Sequence, residues 1–587
     1  MNKFQMILLV MAAFLMSHGI FASTYYVSDS GGNDQHSSAN AKSSTTPWKS
    51  LKFINEASFL VKGDSVLFKK GDRWMGASLK TTANGVYFGS YGMGRLPEIV
   101  SLASPALDIQ PGADKEIIVS GLSFSRRDNK GIVAQLGQAW DDSHKGMQFG
   151  IIENNVFSGT VVVQGANNVF RKNVVDGSAN DGNGNGIWEH HRFCHNNRYQ
   201  ENTVSNFSVR GIWTMIDTHD SIFEGNDVSN CQYAGIDLDG AHYIVYNHTV
   251  RNNTIHNIKN DAIELENAFN AVVTGNYLYD GGRSYIYIIN YPQCKILNGV
   301  GAKVGTGAIL NTRITRNVMI GGGKDNSSVA IGVHKAGGLL IANNSIYNFR
   351  SRFIDLDYKV KSEVTKIRLV NNAFSTIAEP SWYGMINFTT DDINVLEQDD
   401  YNCFYNEGRQ DIYSNRKTHK LYGLREYQTL SGQAKHSISQ NPGFDPARKL
   451  QLNANSPCIN SGLNLGDSFI GIRTDIGASE FGIKTSSRSF GQTTNPSATE
   501  DENLLNSENE HASFIYPNPA FTYLRLSNTA KRGIASIQIF DSNGTLYQKA
   551  TYARNNYIDI TQIPPGHYLV ELRYENGAVT TKRFEKL

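Results

Sequence analysis

Gly186-Ile187-Trp188-Glu189-His190, Gly211-Ile212-Trp213-Thr214-Met215, Gly235-Ile236-Asp237-Leu238-Asp239 and Ala262-Ile263-Glu264-Leu265-Glu266 are four versions of one phrase. Their starts lie 25, 24 and 27 residues apart. Each is followed by an Asn that opens a short apolar stretch: Asn202-Thr203-Val204, Asn226-Asp227-Val228, Asn253-Thr254-Ile255 and Asn276-Tyr277-Leu278. A repeat of this period marks stacked coils of chain, each too small to bury a core alone. Stacking superposes equivalent positions. The last two versions carry acids where the first two carry aromatic residues, so Asp237, Asp239, Glu264 and Glu266 are expected to form one patch.

The Asn signature recurs outside this stretch, at Asn155-Val156-Phe157, Asn173-Val174-Val175, Asn317-Val318-Met319, Asn344-Ser345-Ile346 and Asn372-Ala373-Phe374. From Asn202 onward the spacings are 24, 27, 23, 41, 27 and 28 residues. The 41 predicts a coil carrying a Gly-rich insertion at 290–308, one coil beyond Glu264, where it could fold over the patch as a flap. Asn suits such a turn because it tolerates the left-handed region and its amide can bond to the amide of the next coil. The strands are short and β-branched, as in Ala271-Val272-Val273-Thr274.

The 587 residues allow several domains or one long solenoid with appendages. Charged residues make up 19% and the formal net charge is +1, without the basic excess of a nucleic-acid binder. Residues 1–22 read as a signal peptide, with Lys3 before an apolar core from Met6 to Leu15 and Ala22 before the cut. No later segment reads as a transmembrane span. The five cysteines show no metal spacing, and buried free thiols are expected for most of them. Near the start, Thr46-Pro47 reads as the N-cap and first residue of a helix through Trp48, Leu51, Phe53, Ile54 and Ala57, which would close the open end of the solenoid. The resulting division is a body at 23–482, a Ser/Thr/Asn-rich linker at 483–512 and a small separate β domain at 513–587. The fold class is all-β, a long solenoid followed by a small C-terminal β-sandwich domain.

Two resemblances follow from particular motifs. Tyr516-Pro517-Asn518-Pro519, Ile539-Phe540-Asp541-Ser542-Asn543-Gly544 and Pro564-Pro565-Gly566-His567-Tyr568 make the tail similar to the type A sorting domain of the Bacteroidetes type IX secretion system. That resemblance implies the type IX machinery as a partner, export across the outer membrane, and surface attachment or release. The Asn-signed coils, the opening Tyr25-Tyr26-Val27-Ser28 and the closing Asn460-Ser461-Gly462 to Asp475-Ile476-Gly477-Ala478 make the body resemble the right-handed parallel β-helix of the pectin-lyase-like superfamily. This implies an extracellular polysaccharide as ligand. The superfamily holds lyases, hydrolases, epimerases and binding proteins, so it does not choose an activity.

Strand alternation turns Ile236, Leu238, Ile263 and Leu265 inward and Asp237, Asp239, Glu264 and Glu266 outward. Strands about 4.8 Å apart and i,i+2 neighbours about 6.5–7 Å apart make a two-by-two grid of carboxyls. Like charges so placed need compensation by a proton, a cation or basic groups. One column runs through Trp188, Trp213, Asp237, Glu264 and Tyr287; the other runs through His190, Met215, Asp239, Glu266 and, after a further coil, His334. Rings beside acids suit a sugar chain, so Trp188, Trp213, His190, His242, Tyr287 and His334 are candidate substrate contacts. Asp355 and Asp357 could extend the groove. His190-His191 has no third ligand at zinc spacing.

Three activities fit the grid. A glycoside hydrolase would use Asp237 and Glu264 as the working pair, with Asp239 and Glu266 tuning them, and would require no cofactor. A uronic-acid lyase would hold Ca²⁺ on the same four acids and draw its base from Lys303, Arg283, Lys324 or Lys335. A non-catalytic surface glycan binder would need neither. Hydrolysis is favoured because acids cluster and bases do not.

Overall fold

The computed structural model describes residues 22–482 apart from 110–115, 129–130, 138–145, 179–183, 192–193, 297–302, 322–327, 378–382, 390–391, 408, 410 and 468. In the tail it describes 514–586 apart from 517–522, 528–533, 542–544, 551–556, 561–562, 565 and 575–578. The signal peptide, save Ala22, and the linker expected from the sequence lie outside the described residues, as does Lys324.

Each coil contributes one strand to each of three sheets in turn. Thr249–Arg251 joins sheet one, Thr254–Ile258 sheet two and Asp261–Glu266 sheet three, and Val272–Thr274 then returns to sheet one. Each sheet has 14 strands among the described residues, parallel throughout except for the last pair of sheet three. The result is a right-handed parallel β-helix. Its interior is filled by columns of like side chains, including Phe124 over Phe157 in sheet two and Phe170, Tyr199 and Phe223 in sheet one, with neighbouring centroids 5.0–6.3 Å apart. Such columns form because a parallel register stacks equivalent residues, and burial of each large side chain is worth about 1.5–3 kcal/mol.

An amide ladder runs along the corner between sheets one and two. Asn155, Asn173, Asn202, Asn226, Asn253, Asn276, Asn317, Asn344, Asn372 and Asn402 each sit dry in the turn. From one to the next, Nδ2 donates to the following Oδ1 at 2.9–3.2 Å. The ladder therefore reaches one coil further than the Asn signature indicated. The ladder Asn itself is not left-handed; the residue before it is, as at Asn154, Lys172, Glu201, Asn252 and Asn371. The amide is kept for its two-way bonding, and the left-handed step falls on whichever residue precedes it.

Both ends of the solenoid are covered. Trp48 stacks on Tyr25 at 5.6 Å and on Phe53 at 5.3 Å. The helix there is shorter than the sequence predicts. It is only Lys52–Asn55, because Trp48 instead bridges to Val27 and its N–H donates to the Tyr26 carbonyl. At the other end the helix Leu424–Ser431 lays Tyr427 on Tyr413, with ring centroids 3.7 Å apart. All five cysteines are free and buried.

The chain divides into two compact units, Met1–Lys484 and Thr485–Leu587. The second contains a three-stranded and a four-stranded antiparallel sheet, with Ile537, Ile539, Val570 and Leu572 buried. No helix among the described residues is long and apolar enough to cross a membrane.

Candidate active site

Seven strands of sheet three build the site: β1 (Ile187–His190), β2 (Arg210–Met215), β3 (Ala234–Asp239), β4 (Asp261–Glu266), β5 (Ser284–Ile289), β6 (Val329–His334) and β7 (Arg352–Asp357). The leading Gly of the repeat is required for space. A Cβ on Gly211 would lie 2.4 Å from Val228 Cγ1, and one on Gly235 would lie 2.6 Å from Ile255 Cγ2. Each of these glycines therefore faces inward together with the Ile after it, and the preceding residue, Arg210 in β2, is turned to the outer face.

In register, Trp188, Trp213, Asp237, Glu264, Tyr287, Gly332 and Asp355 form one column. His190, Met215, Asp239, Glu266, Ile289, His334 and Asp357 form the other. The four acids of the grid are thus immediate neighbours, on the face away from the core isoleucines and leucines. They are not open to solvent, as an outer-face patch would suggest. Asp237 is 0% exposed, Glu264 1%, Glu266 5% and Asp239 8%. Long side chains from the same face close over them.

Those covering side chains supply the compensation that the grid requires. Arg210 Nε donates to Asp237 Oδ2 in a close ion pair. Arg283 pairs closely with Asp261 and its guanidinium lies 3.9 Å from Glu264 Oε1. Tyr233 O–H donates to Glu264 Oε1 at 3.4 Å. Trp213 Nε1–H donates to Asp239 Oδ2 at 3.1 Å, and the Ala241 N–H donates to Oδ1 at 3.0 Å. Two oxygens have no donor at all: Asp237 Oδ1 and Glu264 Oε2, both dry and on residues directly paired in register.

Acids in this condition resist ionisation. Burial, then repulsion from Glu264, pushes Asp237 up, opposed by Arg210. Burial, then repulsion from Asp261, pushes Glu264 up to about 7. Burial, then the charges on Asp237 and Asp239, pushes Glu266 up to about 10. The grid therefore retains protons at neutral pH, and the ion pair with Arg210 favours keeping the charge on Asp237.

The other predicted contacts divide. Trp188 and Trp213 stack at 4.9 Å with planes 10° apart. The second face of Trp213 carries the Arg210 guanidinium, 4.5 Å from the ring centre. Both faces of Trp213 are thus taken, and only Trp188 retains a face free of that stack. His190 meets the edge of Trp188 at 4.6 Å, and burial lowers its pKa. The Tyr287 ring packs under Arg283 at 4.5 Å and over Gly332, where a Cβ would come within 3.0 Å of it. His334 Nδ1 lies 3.0 Å from Asp357 Oδ2. Asp355 is bound by Arg352 at 2.8 Å, Arg416 at 3.3 Å and Asn387 at 2.5 Å. His242 is exposed, and its carbonyl accepts the Lys295 N–H from the insertion at 3.0 Å. The insertion pairs there, Tyr243 with Lys295 and Lys295 with Lys303, so its described part rims the Asp239 side of the grid.

Arg210, Tyr233 and Asp261 escape sequence reasoning because strict alternation from Ile212 or Ile263 turns Arg210 and Asp261 inward. Close packing at the glycine corner reverses this. Arg283, one of the residues considered as a base, is held charged by Asp261, its pKa raised further. Among the described residues no three or more His, Cys, Asp or Glu are arranged to hold a metal ion.

Residues 141–300 match the family model for a right handed beta helix region, and residues 514–585 match that for a secretion system C-terminal sorting domain. No curated protein matched the chain. Similar solved structures include the GH136 lacto-N-biosidase from Eubacterium ramulus, at 15% identity over 69% of this chain and 66% of that one, with a TM-score of 0.31. This chain thus spans just under two thirds of that enzyme's length. Pectate lyase Pel9A aligns at 14% identity over 79% of this chain and 97% of its own, TM-score 0.30. The A-module of mannuronan C-5 epimerase AlgE6 from Azotobacter vinelandii aligns at 16% over 50% and 85%, TM-score 0.35. From its own coils and these two family matches, the chain is a right-handed parallel β-helix joined to a secretion-system sorting tail, and is secreted to the cell surface.

Proposed function

We propose that the protein is a glycoside hydrolase acting on an extracellular polysaccharide, with Glu264 as the general acid and Asp237 as the base or nucleophile. One observation carries this. Two acids paired on adjacent strands each present a dry oxygen without a donor, Asp237 Oδ1 and Glu264 Oε2. A pair of this kind can share one proton. Glu264, pushed up to about 7, gives that proton to the leaving glycosidic oxygen. Asp237, paired with Arg210, attacks the anomeric carbon or activates a water. Asp239 and Glu266 tune the pair, and Trp188 and His190, at the head of the same two columns, are the sugar contacts.

The residues fit calcium poorly. That ion takes six to eight oxygens, whereas Asp237 and Asp261 already hold arginines. A lyase would also need a neutral base beside the grid, and Arg283 is unsuited to that task.

The test is to incubate the purified protein with a panel of polysaccharides and follow two signals. New reducing ends without the ultraviolet absorbance of an unsaturated uronate support hydrolysis. Reducing ends accompanied by that absorbance would replace it with elimination. Binding without either signal would make the protein a surface glycan receptor.

A further inference from the structure

Beside the Asp237–Glu264 pair lies a four-layer assembly built from side chains of three coils. Trp188 stacks on Trp213 at 4.9 Å, the Arg210 guanidinium lies 4.5 Å from the Trp213 ring, and it lies 4.7 Å from the Tyr233 ring. Only 16% of the Arg210 side chain is exposed, so its cation–π contacts are made largely out of water, where they are strongest. The planar group has no freedom to leave. Both polar ends of the assembly then point at the working acids. Arg210 Nε–H reaches Asp237, and Tyr233 O–H reaches Glu264. Arg283, by contrast, is half exposed and shared between Asp261 and Glu264.

We infer that Arg210 and Tyr233 are positioning residues for the pair, Arg210 holding Asp237 as the carboxylate and Tyr233 fixing the orientation of Glu264 through the hydrogen bond it donates. The naming of the two roles rests on the hydrolase proposal; the clamp itself rests on geometry alone. An arginine is suited to the place because its flat fork can pack between rings and still donate along one edge, which a lysine ammonium cannot do. The guanidinium is the charged group in closest contact with Asp237. The other charged or titratable groups facing the pair are Asp239 on β3, Asp261 and Glu266 on β4, Arg283 and Tyr287 around β5, and Tyr291 beyond it. Five acids thus face two arginines, and removing one arginine leaves a deficit that only protons can fill.

This gives the clamp a signature that ordinary packing lacks. When the acids are protonated, at about pH 4, the loss of Arg210 costs packing only. When they must ionise, at about pH 8, the loss also leaves buried charge unopposed. The experiment measures Tm of the full chain across this range for wild type, Arg210→Met, Arg210→Lys and Tyr233→Phe. For Arg210→Met the loss in Tm is expected to be greater at pH 8 than at pH 4 by about 3 °C or more. Arg210→Lys, which keeps the charge without the planar contact, should recover only part of that difference, and Tyr233→Phe should show a smaller loss of the same sign. Should Arg210→Met fail to fold, the two milder variants carry the test. A Tm loss equal at both pH values, or a lysine variant matching wild type throughout, overturns the clamp. In active preparations the acidic limb of the rate profile should also move up by about one pH unit in Arg210→Lys, since that limb follows ionisation of Asp237. A pH-dependent Tm loss in a protein that cleaves no glycan would leave the clamp standing and remove the hydrolase.

Discussion

Glu189 and Asp237 lie two coils apart on opposite faces of the same sheet, and both are cut off from water, yet their surroundings are opposite in kind. Glu189 points into the solenoid. Its Oε1 accepts from Asn197 Nδ2 and Ser221 Oγ, each at 2.7 Å, and its Oε2 accepts from Thr214 Oγ1 at 2.9 Å. Every donor is neutral, and neither oxygen is left without one. The set continues outward, since Ser221 Oγ also accepts the Asn197 N–H and the Ser221 N–H donates to His248. Asp237 points the other way and has an arginine on one oxygen and nothing on the other, as does its neighbour Glu264 on Oε2. A buried acid that serves the fold is fully supplied with donors, because an unmet oxygen there is costly. An acid with an unmet oxygen is held ready for a proton or a ligand.

That contrast can be broken most directly at the outer pair. Asp237→Asn and Glu264→Gln should each lower turnover by about 10³-fold; Tm should hold in Glu264→Gln, which replaces a protonated acid by its isostere, and fall in Asp237→Asn, which leaves Arg210 without its counter-charge. A rate within tenfold of wild type in both would take the chemistry away from this pair. The converse holds inside. Glu189→Ala leaves Asn197, Ser221 and Thr214 without their acceptor and should cost about 2–4 kcal/mol by denaturant titration, with turnover at saturating substrate nearly unchanged. A large rate loss with intact stability would instead make Glu189 part of the active site.

The pH dependence of stability sharpens the comparison. Asp399, fully buried at the C-terminal end of the amide ladder, is pushed up to about 7 by burial despite bonds from Tyr413 and Asn402. Glu264 is pushed up to a similar value. A folded-state pKa above the unfolded one, about 4 for these groups, gives stability that is complete below that value and is lost as pH rises through 7. Tm should therefore fall between about pH 4 and pH 7, and Asp399→Asn should flatten that fall by on the order of a few kcal/mol. An unchanged slope would mean that the inner acid ionises without penalty. The smallest expected effect is that of a calcium chelator, which should change neither Tm nor activity. A clear loss of both would put an ion into the grid.

Much of this was legible as pattern. The period gave the coils, and parity within Ile236-Asp237-Leu238-Asp239 put two acids beside Glu264 and Glu266. The same parity in Ile187-Trp188-Glu189 turns Glu189 inward, a signal present in the sequence and overshadowed by the acids of the later coils. Arg210 and Tyr233 were hidden for a different reason. Their side chains reach from one coil to the next, and their direction depends on the crowded corner at Gly211 and Gly235, which local alternation does not describe. The covering of the acids was hidden too, because alternation predicts a face and not what lies over it.

The 41-residue gap from Asn276 to Asn317 is bridged at 2.9 Å, within the range of the other rungs, which span 18 to 30 residues. The rail does not register how much chain loops out between its contacts. Loops at the rim can consequently be lengthened or exchanged, one coil at a time, while the backbone beneath keeps its alignment.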